Sequence, residues 1–165
     1  MNWDAIGATG EWIGGLATIG TLFYLAYQVR QNTKTARSSA YQAAASAISE
    51  WTNLVSADAV VTKNLMTAML EPDSLDENAR AQVGMQLNAL FRNYENIFYQ
   101  WREGAISEEV WEGWGRQVRA VFWTVGAQRW WPTWRLYCHR DFRTFLESSN
   151  APEDAFLLWA NKDNS

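Results

Sequence analysis

Eighteen consecutive residues, Trp12 to Val29, carry no charge, and the run ends against a basic cluster of Arg30, Lys34 and Arg37. The acids Asp4 and Glu11 lie on its other side. Such a run is either a membrane span or a core helix buried on all sides in a soluble bundle. At about 1.5 Å of rise per residue it makes roughly 27 Å of helix, close to the thickness of a hydrocarbon core of about 30 Å. Three Gly, two Thr and Gln28 dilute it. A signal peptide fits poorly, because acids rather than bases lead and no small-x-small cleavage site follows. The span is therefore the expectation. The basic flank sets its orientation, with the N-terminus outside and residues 30–165 in the cytoplasm. Trp12 at one end, with Tyr24 and Tyr27 near the other, fits the aromatic belts of the two interfaces.

The residues after Arg30 are enough for one ordinary domain with its own core. A division into an anchor (1–30), a helical domain (31–160) and a frayed tail (161–165) follows. The single cysteine, Cys138, excludes an intramolecular disulfide framework. A net charge of −4 argues against bulk attraction to nucleic acid. Eleven Trp is the unusual number, and seven of them fall between Trp101 and Trp134.

The pattern is all-α: one transmembrane helix continuing into a bundle of about five to six helices. Past the span, no Gly or Pro interrupts the chain before Leu54, so the first helix runs on. Ala36, Ala40, Ala43, Ala47, Trp51 and Leu54 form a stripe at spacings of four and three. Asp58 caps a short helix through Met69, which Pro72 closes. Ser74-x-x-Glu77 reads as a capping box for the next helix. There Val83, Leu87, Leu90, Phe91, Tyr94, Ile97, Phe98 and Trp101 repeat at three and four as far as Gly104. Ser107, followed by Glu108 and Glu109, starts another helix, with Gly126 as its stop. Two shorter pieces follow, one with Trp130, Trp134 and Tyr137, the other with Phe142, Phe145 and Leu146. Pro132 is awkward inside the first of them.

Three features can carry function. Gly10, Gly14, Ala17 and Thr21 line one side of the span and would let two helices approach closely in lipid. The stripe of Ala36, Ala40, Ala43 and Ala47 continues this as a seam below, or packs on its own domain. Between Arg116 and Arg143 lie six Arg and one acid, Asp141, interleaved with Trp. Helical spacing assigns Trp111, Trp114 and Phe122 to the core. Arg129, Trp130, Trp131, Trp134 and Arg135 are the candidate surface for a protein partner or anionic lipid, with single-stranded nucleic acid the weakest option. Adjacent Trp130 and Trp131 cannot face the same way.

Chemistry is harder to find. His139, the only histidine, adjoins Cys138, and helix neighbours about 100° apart suit neither a metal site nor a nucleophile–base pair. His139 fits a helix cap, and Glu95 fits a buried partner for an Arg. No catalytic residue, metal site or cofactor is indicated.

The opening MNWDAIGATGEWIGG…LFYLAYQVRQNTK, the central YENIFYQWREGAISEEVWEGW and the later RWWPTWRLYCHRDFRTFLE resemble a widespread, functionally uncharacterised family of bacterial single-pass proteins. The resemblance covers nearly the whole chain. It implies an N-terminal anchor in the bacterial inner membrane and a cytoplasmic helical domain, and transfers no catalytic residue. Gly14, Gly15 and Gly20 stand where that family more usually has branched aliphatics. The expected role is a binding or scaffolding subunit whose partners are the bilayer and itself or another membrane protein. One alternative is an accessory subunit of a larger membrane complex. Another is a small-molecule sensor or enzyme, with an aromatic pocket between the helices of residues 77–101 and 108–126 and a ligand touching Glu95 or Arg102.

Overall fold

The computed structural model describes the backbone of residues 3–151 and the side chains of residue 12 and residues 14–151. The described chain is all-α, with no strand among those residues. Its helices are α1 (Trp3–Ser56), α2 (Ala59–Leu70), α3 (Glu77–Arg102), α4 (Glu108–Phe122), α5 (Val125–Trp134) and α6 (Arg140–Glu147), with a 3-10 turn at Pro72–Ser74. Two compact units divide the chain, Met1–Ser39 and Ala40–Ser165. The boundary falls later than residue 30, the expected end of the anchor. The tail expected at 161–165 lies outside the described residues.

In the first unit α1 is regular, and every residue from Gly14 to Ser39 is exposed. The helix runs on past the uncharged stretch, as the lack of Gly and Pro there requires, to a length of 54 residues. Among the described residues no helix is long and apolar enough to cross a membrane. Length is not what α1 lacks. Gln28, the Gly and Thr residues and the tyrosines lower the hydropathy of its apolar stretch.

The second unit is built by caps that are mostly local. The Asp58 carboxylate accepts from the N–H groups of Val60 and Val61 at 2.7 and 3.3 Å, starting α2. The capping box expected at Ser74 is not used. Ser74 sits in the 3-10 turn that Pro72 begins, and Asp76 caps α3 by accepting from Ala79 N at 2.8 Å. Asp76 reaches the third residue beyond itself, the same geometry shifted two residues along. Gly104, at φ +73°, ends α3: its N–H reaches Trp101 O, and Ala105 N–H reaches Gln100 O. That pair of bonds makes a Schellman turn, which needs a residue free of a Cβ penalty.

Gly126 is not the stop of α4, which ends at Phe122. It lies in the first turn of α5, capped by Thr124, whose Oγ1 accepts from Ala127 N. A Cβ on Gly126 would come within 2.1 Å of the Ala68 carbonyl oxygen, so the residue is there for the close crossing of α5 over α2. Pro132 lies inside α5, past its first turn, and so forgoes the backbone bond to the carbonyl four residues back.

α3 is the centre. Val83, Leu87, Leu90, Phe91, Tyr94, Ile97 and Phe98 are buried along one stripe, against α2, α4 and α5. Phe98 meets the rings of Trp101, Trp111, Phe142 and Phe145 at 5.4–5.7 Å. Phe91 meets Trp131 and Trp134 at 5.8 Å each.

Two of the helical glycines of this unit, Gly113 and Gly126, separate cleanly. Gly126→Ala overpacks the α2–α5 crossing and should cost about 1–3 kcal/mol or more. Gly113→Ala, in α4 with nothing within 4 Å of its added Cβ, should gain up to about 1 kcal/mol from helix propensity. Urea unfolding of the two variants measures both, and opposite signs are expected.

Candidate binding pocket and the aromatic–basic edge

The end of α1 is fixed to the bundle by polar ties. Trp51 Nε1 donates to Gln86 O at 2.9 Å, and Asn93 Nδ2 donates to Ala47 O at 3.3 Å. Tyr41 stacks on Trp114, centroids 5.6 Å apart. These ties settle which alanines are used. Ala40 and Ala47 are partly buried, Ala44 and Val55 are buried, and Ala36, Ala43 and Leu54 are exposed. The buried stripe is thus turned by one residue from the expected one, and it serves the unit's own packing.

Between this end of α1 and helices α2, α3 and α4 lies a partly open cavity of about 250 Å³. Val55, Leu65, Met69, Leu90 and Val121 form buried walls, while Thr52, Ser56 and Gln117 stand at the exposed rim. No lining residue carries a charge. Tyr94 also lines it and is 1% exposed. Burial raises the pKa of its phenol far above the ordinary tyrosine range, so the group stays neutral. The pocket touches α3 and α4, as the sensor alternative requires, but its wall is mainly aliphatic. Neither Glu95 nor Arg102 lines it.

Glu95 has another task. It is 7% exposed; its Oε2 accepts from Arg92 Nη1 at 2.6 Å and its Oε1 from the backbone N–H of His139 at 2.6 Å. Arg92 also donates to Tyr137 O at 2.7 Å. The pair clips residues 137–139 onto α3. His139 caps α6, its Nδ1 accepting from Asp141 N at 3.4 Å. Burial, then the Glu95 charge, pushes the Cys138 thiol up to about 11, leaving it protonated and unreactive near neutrality. Arg102 pairs with Asp141 at 3.7 Å and lies over the Phe98 ring.

The Trp/Arg surface is mostly not a surface. Trp131 and Trp134 are 6% and 9% exposed, because their i, i+3 spacing turns both into the core against Phe91. Trp130 is partly buried and stacks on Trp134 at 6.2 Å. Glu147 accepts from Trp131 Nε1 at 3.0 Å and from Arg135 Nε at 2.8 Å. The Arg135 hydrogen bond, foremost, holds the Glu147 carboxyl below its usual range. Arg129 pairs with Asp73 at 3.0 Å. Trp111 and Phe122 are core, as their spacing requires, and Trp114 is partly buried. Of the predicted surface residues only Arg129 is exposed, and Arg116, Val125, Leu136, Tyr137 and Arg140 stay exposed around it.

In the first unit, Gly14, Ala17 and Thr21 are exposed, and nothing lies within 4 Å of a Cβ on Gly14. Gly10 lies outside the residues whose surroundings are described. Among the described residues no group of three or more His, Cys, Asp or Glu gathers as a metal site would. No protein-family model, curated protein or solved structure matches the chain.

The clip can be tested by stability. Glu95→Ala leaves the part-buried His139 N–H without its acceptor and should cost about 1 kcal/mol. Glu95→Gln keeps an acceptor and should cost less. Equal losses in urea unfolding would show that charge, not the bond to His139, is what matters there.

Proposed function

We propose that the chain is a membrane-anchored helical binding or scaffolding subunit, with residues 12–29 in a bilayer and the unit from Ala40 presented on the cytoplasmic side. The observation that carries this reading is the apolar exposure of α1. Leu16, Ile19, Leu22, Phe23, Leu25 and Val29 are each 48–73% exposed; at 3.6 residues per turn they cover one half of the helix, and the other half carries no charge between Trp12 and Val29. Such a surface in water needs a cover, and hydrocarbon supplies one. The Thr18 and Thr21 hydroxyls already donate to Gly14 O and Ala17 O at 2.8 Å, so neither needs water. The basic flank of Arg30, Lys34 and Arg37 supports the orientation. The resemblance to single-pass bacterial inner-membrane proteins points the same way.

Some of the residues that dilute the span are arranged. Gly14, Ala17, Thr21, Tyr24 and Gln28 follow one another at three and four, one face of the helix. Two such faces in contact would bury the weakly apolar strip, pair the Gln28 amides and leave Leu16, Ile19 and Phe23 to lipid. Self-association therefore strengthens a weak anchor. Exposed Arg116, Arg129, Leu136, Tyr137 and Arg140 are left in the aromatic–basic stretch for a partner or an anionic headgroup.

Two measurements test this. The full chain should sediment with membranes and resist alkaline carbonate; a chain that stays in the supernatant without detergent overturns the anchor. In vesicles, energy transfer between labelled copies should fall several-fold on Gly14→Leu and hold on Gly15→Leu, since Gly15 lies off the proposed face. Equal transfer in wild type and Gly14→Leu overturns the association.

A further inference from the structure

We infer that the cavity bounded by α1, α2, α3 and α4 is the seat of this chain's own C-terminal apolar segment, Phe156 to Trp159, which covers it from within the same molecule. The inference does not rest on bilayer insertion, because the lining residues and the segment all belong to the unit that begins at Ala40.

Three observations converge. The first is position. The chain runs on past Ala151, the last described residue, from a turn held beside the cavity. Ser149 Oγ accepts from Trp123 Nε1 at 3.1 Å. The residue after Trp123, Thr124, has its Oγ1 2.8 Å from Val121 O and 3.2 Å from Met69 Sδ, and both Val121 and Met69 line the cavity. The second is reach. Gln117, at the exposed rim, stands six residues before Trp123, about 9 Å back along α4, a helix about 10–12 Å across. Five residue steps lead from Ala151 to Phe156, up to roughly 17 Å of extended chain, enough to pass round α4 to that rim. The third is chemistry. Phe156, Leu157, Leu158 and Trp159 carry no charge and follow the acids Glu153 and Asp154. The lining carries no charge either, so it accepts an apolar segment where an ionic ligand would be desolvated without a counter-charge. At about 250 Å³, against the roughly 150 Å³ of an engineered apolar cavity that takes benzene, there is room for one or two of these side chains. Met66 and Met69 supply an adaptable wall. Thr52, Ser56 and Gln117 at the rim offer hydroxyl oxygens and an amide to the segment's backbone.

A photoreactive group on the segment reads its seat. The full chain carrying Phe156→p-benzoylphenylalanine, in detergent or lipid nanodiscs, is irradiated and its crosslinks mapped by mass spectrometry. They should form to Met66 or Met69 within one chain and spare Met85, which is 68% exposed and outside the lining. Thr52→Trp, an exposed rim substitution, should reduce that product several-fold. The methionines give a second readout. In the full chain with ¹³C-methyl methionine, Phe156→Ser, Leu157→Ser, Leu158→Ser and Trp159→Ser together should shift the signals of Met66 and Met69 and leave Met85 unmoved. A product joining two chains assigns the cavity to the segment of a neighbouring copy and overturns the intramolecular seat. Crosslinks to lipid alone, or to Met85 as readily as to Met66 and Met69, overturn it too, as do methyl signals that ignore the serine variant. Failure of membrane sedimentation leaves these readouts unaffected, so the two proposals fail separately.

Discussion

The buried stripe of α3, Val83 through Phe98, is the surface against which the rest of residues 40–151 is organised. One or two residues in each turn face inward, and three other helices take their positions from it. At its C-terminal end Phe98 joins α4 and α6 through Trp111, Phe142 and Phe145. Each aromatic pair adds about 0.5–1.5 kcal/mol beyond its buried area. At the middle, Phe91 receives Trp131 and Trp134. The high tryptophan content is explained here: much of it fills a core made from short helices, where a few large rings must replace many small side chains.

α3 also sorts chemistry by face. Tyr94 and Glu95 are neighbours in sequence and point apart. One closes an apolar cavity; the other anchors the segment that leads into α6. A buried carboxylate and an adjoining histidine could have suggested catalysis. Both acceptor oxygens of Glu95 are occupied, and His139 spends its Nδ1 on a helix cap. The arrangement holds the fold together.

Much of this was legible in the residues. The all-α class, the α3 stripe, the Asp58 cap and the unbroken first helix follow from periodicity and from the placement of Gly and Pro. What was not legible has physical reasons. Ser74 and Asp76 are both competent caps, and only the 3-10 turn set by Pro72 decides between them. Gly126 looks like a stop in one dimension, and its need for close approach to Ala68 exists only in three. Trp131 and Trp134 lie in a stretch rich in Arg, so composition suggests a surface. Asp73 and Glu147, from outside the stretch, pair with Arg129 and Arg135, and Asp141 within it pairs with Arg140. The Tyr94 cavity arises where four helices meet and has no signature in any one of them.

The first unit presents the opposite problem to α3: an apolar helix whose side chains are exposed from Gly14 onward. The proposed bilayer gives those side chains the cover that α3 obtains from its neighbours. Backbone hydrogen exchange of the full chain in lipid nanodiscs tests this most directly, because α1 carries its own control. Residues 31–39 are as exposed as residues 14–29, but polar. Insertion requires slow exchange over 14–29 beside fast exchange over 31–39. Equally fast exchange across both segments would contradict a lipid-embedded helix.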